Sequence, residues 1–201
     1  MSVYFYEGAQ ILAPLSIISN EPMFDIDSVS LKKQRASQGA QRWELAFGVI
    51  GEPDTQVDLF LSAAVGIETA TTMIMPQLNK VNDRSTLDST STTLFGSTVA
   101  GSSIVNVDAS ATTGLLPKGS FIKFSNHDKL YVVTADANFT TGSTAVSIYP
   151  TLKTTVAAAD FMRTDAECTL TYLRSIDSAT GITFTDGVLS SIGTVELIEV
   201  V

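Results

Sequence analysis

In 201 residues there is one histidine, His127 in SNHDK, and one cysteine, Cys168 in ECTLTYL. A hydrolytic triad would have to use His127 as its base. Its setting is a turn between two strands, where an exposed histidine is the ordinary finding. Ser97 and Ser102 stand in Gly- and Ser-containing segments, yet neither has the strand-turn-helix context of a nucleophile elbow. One Cys and one His are too few for a zinc site. Asp25 and Asp27 in FDID share one face of a strand and could offer two oxygens to a hard cation. No further oxygen ligands follow at loop spacing, so they read as a charged outer face. Cys168 reads as a small buried hydrophobe in a strand and supports no redox role. Phosphate-cradling loops are absent from the sequence, and no carboxylate pair of the glycosidase kind stands out. The expectation is a protein that is not an enzyme, with no catalytic residue, no metal ligand and no cofactor-binding residue or cofactor.

The aromatic side chains could do a different kind of work. Tyr4, Phe5 and Tyr6 near the start, and Phe121, Phe124, Tyr131 and Tyr149 further on, could stack on sugars or bases; core packing is the expected role for most of them. The formal net charge is -9, and the few basic residues are scattered apart from Lys32, Lys33 and Arg35. That cluster reads as a solvated loop or a contact with an acidic neighbour. Sequence-specific nucleic-acid binding is therefore not expected, because phosphate neutralisation needs clustered cations. No apolar run approaches the roughly 20 residues of a membrane span, so no membrane partner is expected. The segment MSVYFYEGAQILAP lacks a basic region ahead of an apolar core and a cleavage site, which predicts cytoplasmic synthesis without a signal peptide. Charged residues make up 16% of the chain, against about 25% in an average domain. A Ser-, Thr-, Ala- and Gly-rich exterior of this kind suits an extracellular β protein or a subunit that buries much of its surface.

The elements that would position these groups are mostly strands. In QGAQRWELAFGVIG, Trp43, Leu45, Phe47 and Val49 alternate with Arg42, Glu44, Ala46 and Gly48, which is the period of a half-buried strand. FIKF, KLYVV, VSIYP, CTLTYL and ELIEVV are further short runs bounded by turn residues. A helix is predicted over Pro53–Gly66, with Val57, Phe60, Leu61, Ala64 and Val65 on its buried face, Pro53 in its first turn and Gly66 as its stop. The Ser/Thr-rich NDRSTLDSTSTTLFGSTVAGSS marks a boundary. The predicted organisation is a discontinuous domain of residues 1–95 and 161–201, with residues 96–160 inserted as a small all-β module.

In order and motif the chain resembles the siphophage distal tail proteins, which form the ring between tail tube and tip. The resemblance lies in an N-terminal strand segment and a basic polar loop, then the strand QRWELAF, the helix PDTQVDLFLSAAVG and the extended IMPQ. Within the insert, VAGSSIVNVDASATTGLLPKGSFIKFSNHDKLYVVTADANF and AVSIYPTL are similar to the oligonucleotide-fold insert of one subgroup. This resemblance implies a mainly β (α+β) fold: a β-sandwich or split-barrel ring-forming domain with one helix, plus an inserted OB-like β-barrel. It implies a structural component of a phage tail tip, located in the virion tail, whose hexameric ring passes DNA through its lumen. Its partners would be copies of itself, the tail tube protein and the hub or tip proteins. The alternative is a carbohydrate-binding or host-adhesion module of a virion, using Tyr131 or Tyr149. Met1–Tyr6 and Gly193–Val201, apolar and without lysine, are the edges expected to pair between copies, with the barrel pointing outward and dispensable to closure. On that expectation a lysine at Leu197 or Ile198 would impair the ring.

Overall fold

The computed structural model describes residues 5–27, 33–37, 39–50, 58–59, 61, 68–77, 85–140, 142–175, 183–185, 188–191 and 194–201. In chain order its strands are β1 (Phe5–Tyr6), β2 (Ala9–Asn20), β3 (Met23–Asp27), β4 (Lys33–Ser37), β5 (Arg42–Ile50) and β6 (Thr71–Ile74). There follow β7 (Ser91–Thr93), β8 (Ile104–Asp108), β9 (Gly114–Leu116), β10 (Phe121–Phe124), β11 (Leu130–Val133), β12 (Ala137–Phe139) and β13 (Ser143–Tyr149). The last are β14 (Phe161–Arg163), β15 (Thr169–Arg174), β16 (Thr183–Thr185), β17 (Val188–Ser191) and β18 (Thr194–Glu199). The protein is mainly β, as expected.

Six strands form one antiparallel sheet in the order β1-β2-β5-β18-β15-β6. The alternation in β5 is realised, since Trp43, Leu45, Phe47 and Val49 are buried while Arg42 is exposed. Each such side chain contributes about 1.5–3 kcal/mol by leaving water. They meet Val195 and Leu197 of β18, Leu170 and Tyr172 of β15, and Tyr6. Tyr6 stands edge-on to Phe47 at 5.5 Å between ring centroids. Of the predicted helix, Asp58, Leu59 and Leu61 are helical. Leu59 belongs to the core and Leu61 is 50% exposed, the reverse of the predicted facing. Periodicity fixes the width of an apolar stripe, whereas packing decides which side of it meets the sheet. Val57, Phe60, Ala64 and Val65 lie outside the described residues.

The C-terminal strand does not form the expected free edge. β18 has β5 on one side and β15 on the other, and Leu197 is completely buried. An apolar strand reads the same in sequence whether central or peripheral; only its pairing tells the two apart. Among the described residues, the free edges are β6 and the other flank of the sheet, where β1 covers only Ala9 and Gln10 of the longer β2.

The second large sheet runs β7-β14-β10-β11-β13-β8, again antiparallel. Its outer strands meet. Leu94 bridges Val107, and the Phe95 N–H donates to the Asn106 carbonyl at 2.9 Å, so the sheet closes into a small barrel. Closure removes the edges that would otherwise invite other strands. The interior is filled by Val105, Val107, Ile122, Phe124, Tyr131, Val133, Val146 and Met162, among others. The chain enters this barrel at β7 and leaves it after β14, so the pairing begins before residue 96 and runs past residue 160.

The approach to the barrel is held down along β9. Thr86 and Asp88 donate their N–H groups to the Leu115 and Thr113 carbonyls, both at 3.1 Å, and the Asp88 carboxylate accepts from the Thr113 N–H and hydroxyl, both at 2.9 Å. These bonds hold the Asp88 carboxyl below the usual carboxylate range. Gly114 lies in this contact with φ +121°, and a Cβ there would stand 2.2 Å from the Thr86 carbonyl oxygen. Gly114→Ala should therefore destabilise the protein by on the order of 3 kcal/mol, through clash and backbone strain together. Urea denaturation measures this; a loss below about 0.5 kcal/mol, typical of a neutral surface change, would show that the 85–88 segment is not fixed there.

Candidate functional site

The barrel and the first sheet share a core, and their contact is where polar chemistry concentrates. Phe121 and Leu130 leave the barrel and join Trp43 in the core of the first sheet. The Trp43 indole stands edge-on to Phe121 at 5.2 Å and donates its N–H to the Leu130 carbonyl at 3.1 Å. Beside them the buried Gln77 side chain pairs with the Phe121 backbone, donating at 3.0 Å and accepting at 2.9 Å, as a neighbouring strand would.

The Glu199 carboxylate is fully buried at this contact. It accepts from the Leu130 N–H at 2.7 Å, the Trp43 N–H at 3.0 Å and the Lys129 ammonium at 2.5 Å. Lys129 also donates to the Gln41 carbonyl at 2.9 Å. Both side chains of the pair are almost fully buried. Burial pushes the Lys129 ammonium below its ordinary range, and the charge of Glu199 opposes that shift. A charge can remain in such a place because the opposite charge and the backbone donors and acceptor around it replace most of the water that it loses.

Above this pair opens a cleft of about 670 Å³. One wall is formed by Glu21, Ser37 and the 39–42 turn, and the other by the barrel turns at 100–101 and 149–153. Tyr149 spans the two sides. Its hydroxyl donates to Glu21 at 2.5 Å and its ring meets Trp43 edge-on at 6.5 Å. Ser37 donates to the other Glu21 oxygen. Hydrogen bonds from Ser37 first, and from Tyr149 second, hold the Glu21 carboxyl below its usual range. Gln41 is buried in this wall; its amide N–H donates to Ser19 at 3.0 Å while its Oε1 has no partner.

The residues singled out in the sequence lie elsewhere and are not brought together. His127 packs against Phe124 and Tyr131 at a barrel corner. Asn126 donates to the Thr155 carbonyl, which turns its amide oxygen toward His127 Nδ1 at 2.6 Å. Tyr131 accepts from the Lys153 N–H at 2.9 Å and is hydrogen-bonded to His127 Nε2 at 2.7 Å. The Asn126 oxygen places a proton on Nδ1. These contacts also correct the picture of an exposed turn histidine. Tyr131 is fully buried and unavailable to a sugar, with its hydroxyl pushed up to about 12 mainly by burial. Phe121 and Phe124 are core residues, Tyr6 is buried, Phe5 is exposed, and Tyr4 lies outside the described residues.

Cys168 is fully buried, and burial pushes its thiol well up. Ser97 donates to the Val156 carbonyl at 3.0 Å, and Ser102 lies in a turn closed by backbone bonds. Asp25 and Asp27 face Arg35 and Lys33 across an exposed two-stranded hairpin, where Lys33 and Arg35 each approach Asp25 at 3.7 Å. The basic residues predicted for a loop thus sit on β4, opposite the acidic strand of their own chain; Lys32 lies outside the described residues. Among the described residues, no group of three or more His, Cys, Asp and Glu could hold a metal, and no helix is long and apolar enough to cross a membrane.

Residues 83–164 match the family model described as distal tail protein pb9, B domain. The chain carries the B domain of a phage distal tail protein. The matched span brackets the closed barrel, from just before β7 to just after β14. That domain places the chain in the tail of the virion, and its family is one of structural tail proteins. No curated protein matches the chain.

Two outcomes are expected. Lys129→Met leaves the Glu199 carboxylate buried without its counter-charge and should cost roughly 3–5 kcal/mol in urea denaturation; a loss below about 1 kcal/mol would mean that water reaches the carboxylate. His127 is pushed below its ordinary value of 6.5, chiefly by burial and then by Lys153. Its contribution to stability is therefore complete above pH 6.5 and lost as pH falls through the folded-state value. His127→Gln should flatten the stability profile in that window. An unchanged slope would assign the acid loss to carboxylates instead.

Proposed function

We propose that this distal tail protein closes into a hexameric ring that joins the tail tube to the tip and leaves a lumen through which DNA passes. One observation carries the reading: a chain with a distal tail protein B domain also has a six-stranded sheet that, among the described residues, is left open at two opposite edges, β6 and the β1–β2 flank. Two different edges on opposite sides suit a heterologous contact, the kind that generates a ring when the rotation closes. The net charge of -9 agrees with a wall past which a polyanion moves without being held. In this reading the chain consists of a discontinuous ring-forming unit and an inserted OB-like barrel that points outward. Its neighbours are further copies, the tail tube protein and the hub or tip proteins.

The lysine test belongs on the true edge. Ile74 of β6 is 50% exposed, so Ile74→Lys should leave the fold intact while placing a charge where the neighbour would pair. Native mass spectrometry should find the unmodified protein as a hexamer, alone or with the tail tube protein, and the variant as a monomer with an unchanged melting temperature. A monomer at high concentration that no tail partner assembles would remove the ring, and a hexamer that tolerates the lysine would move its interface away from β6.

A further inference from the structure

We propose that the cleft between the first sheet and the barrel binds a short neutral saccharide. Its volume of about 670 Å³ falls within the roughly 300–1,000 Å³ of small-molecule sites. An extended peptide would dock by pairing with free backbone groups, but five N–H groups along the walls are already engaged. Gly39 donates to Ser37, Ala100 to Thr155, Gly101 to Leu152, Leu152 to Ser102 and Lys153 to Tyr131. Recognition then runs mainly through side chains. Those present are the carboxylate of Glu21, the amide of Gln41, the guanidinium of Arg42, the ammonium of Lys153 and the ring of Tyr149.

Planar polar groups beside one aromatic ring are the chemistry that reads vicinal hydroxyls and the apolar face of a sugar. Acidic and basic groups are both present in the walls, which favours a neutral ligand over an anion. The decisive feature is Gln41. It is nine-tenths buried and its Oε1 is an acceptor without a donor, a costly arrangement that a ligand hydroxyl would relieve once the amide turns toward the cleft. This binding is independent of ring closure and would be present in a single copy.

The sole tryptophan, Trp43, packs against Tyr149 and reports on the cleft. The full chain would be titrated with maltotriose, mannotriose, galactotriose and chitotriose, following Trp43 fluorescence and saturation-transfer difference NMR. The expected result is a saturable response to at least one of them, weakened about tenfold by Tyr149→Phe and by Lys153→Ala, with melting temperatures unchanged. No saturable response to any of these trisaccharides, or one that both variants leave intact, would overturn the proposal. If no sugar binds and the same variants prevent assembly with a tail partner, the cleft is a protein contact and the proposal also fails. Native mass spectrometry of the same samples reads the ring separately, so failure of one reading leaves the other standing.

Discussion

Glu199 is the point at which the two halves of this protein are made one. Its carboxylate is the last residue of a central strand, and it accepts hydrogen bonds from the backbone of Trp43 in the neighbouring strand and of Leu130 in the barrel, while Lys129 supplies the counter-charge. A carboxylate so placed is costly to bury and tolerates few alternative arrangements. The barrel can therefore sit on the sheet in the one pose that offers both N–H groups and the ammonium together. Hydrophobic contact between Trp43, Phe121 and Leu130 supplies most of the attraction, and the polar group supplies the register.

The same junction explains why the barrel does not behave as a loosely tethered ornament. Gln77 continues the hydrogen-bond pattern of the sheet into β10 by imitating a strand with its side chain. Phe121 and Leu130 belong to the core of the first sheet, so removing the barrel would open that core. A ring built on the first sheet would carry its barrels in fixed orientations.

The cleft is a consequence of this geometry. The floor is drawn tight by Lys129 and Glu199, while the turns above it project from two different sheets and stay apart. Tyr149 and Glu21 bridge the gap at one place without filling it. Polar side chains held by such a bridge are positioned before any ligand arrives, which lowers the entropic cost of binding.

Local periodicity by itself determined the strands. The alternation through Trp43, Leu45, Phe47 and Val49, and the short runs FIKF, KLYVV and CTLTYL, could be placed because period two and turn residues are local properties of a chain. The distal tail family was legible only as a resemblance, carried by segments such as PKGSFIKFSNHDKLYVV, which lies within the span that matches the B domain. Three things were decided only by tertiary structure. The centrality of β18 depends on which strands flank it, and an apolar strand carries no mark of that. The facing of Leu59 rather than Leu61 depends on how the helix meets the sheet. The lock of Lys129 on Glu199, 70 positions apart, and the cleft above it, lined from Glu21 to Val201, join residues far apart along the chain. A charged residue at the end of an ordinary strand reads as solvent-exposed, and only the folded chain brings it the three donors that let it stay buried.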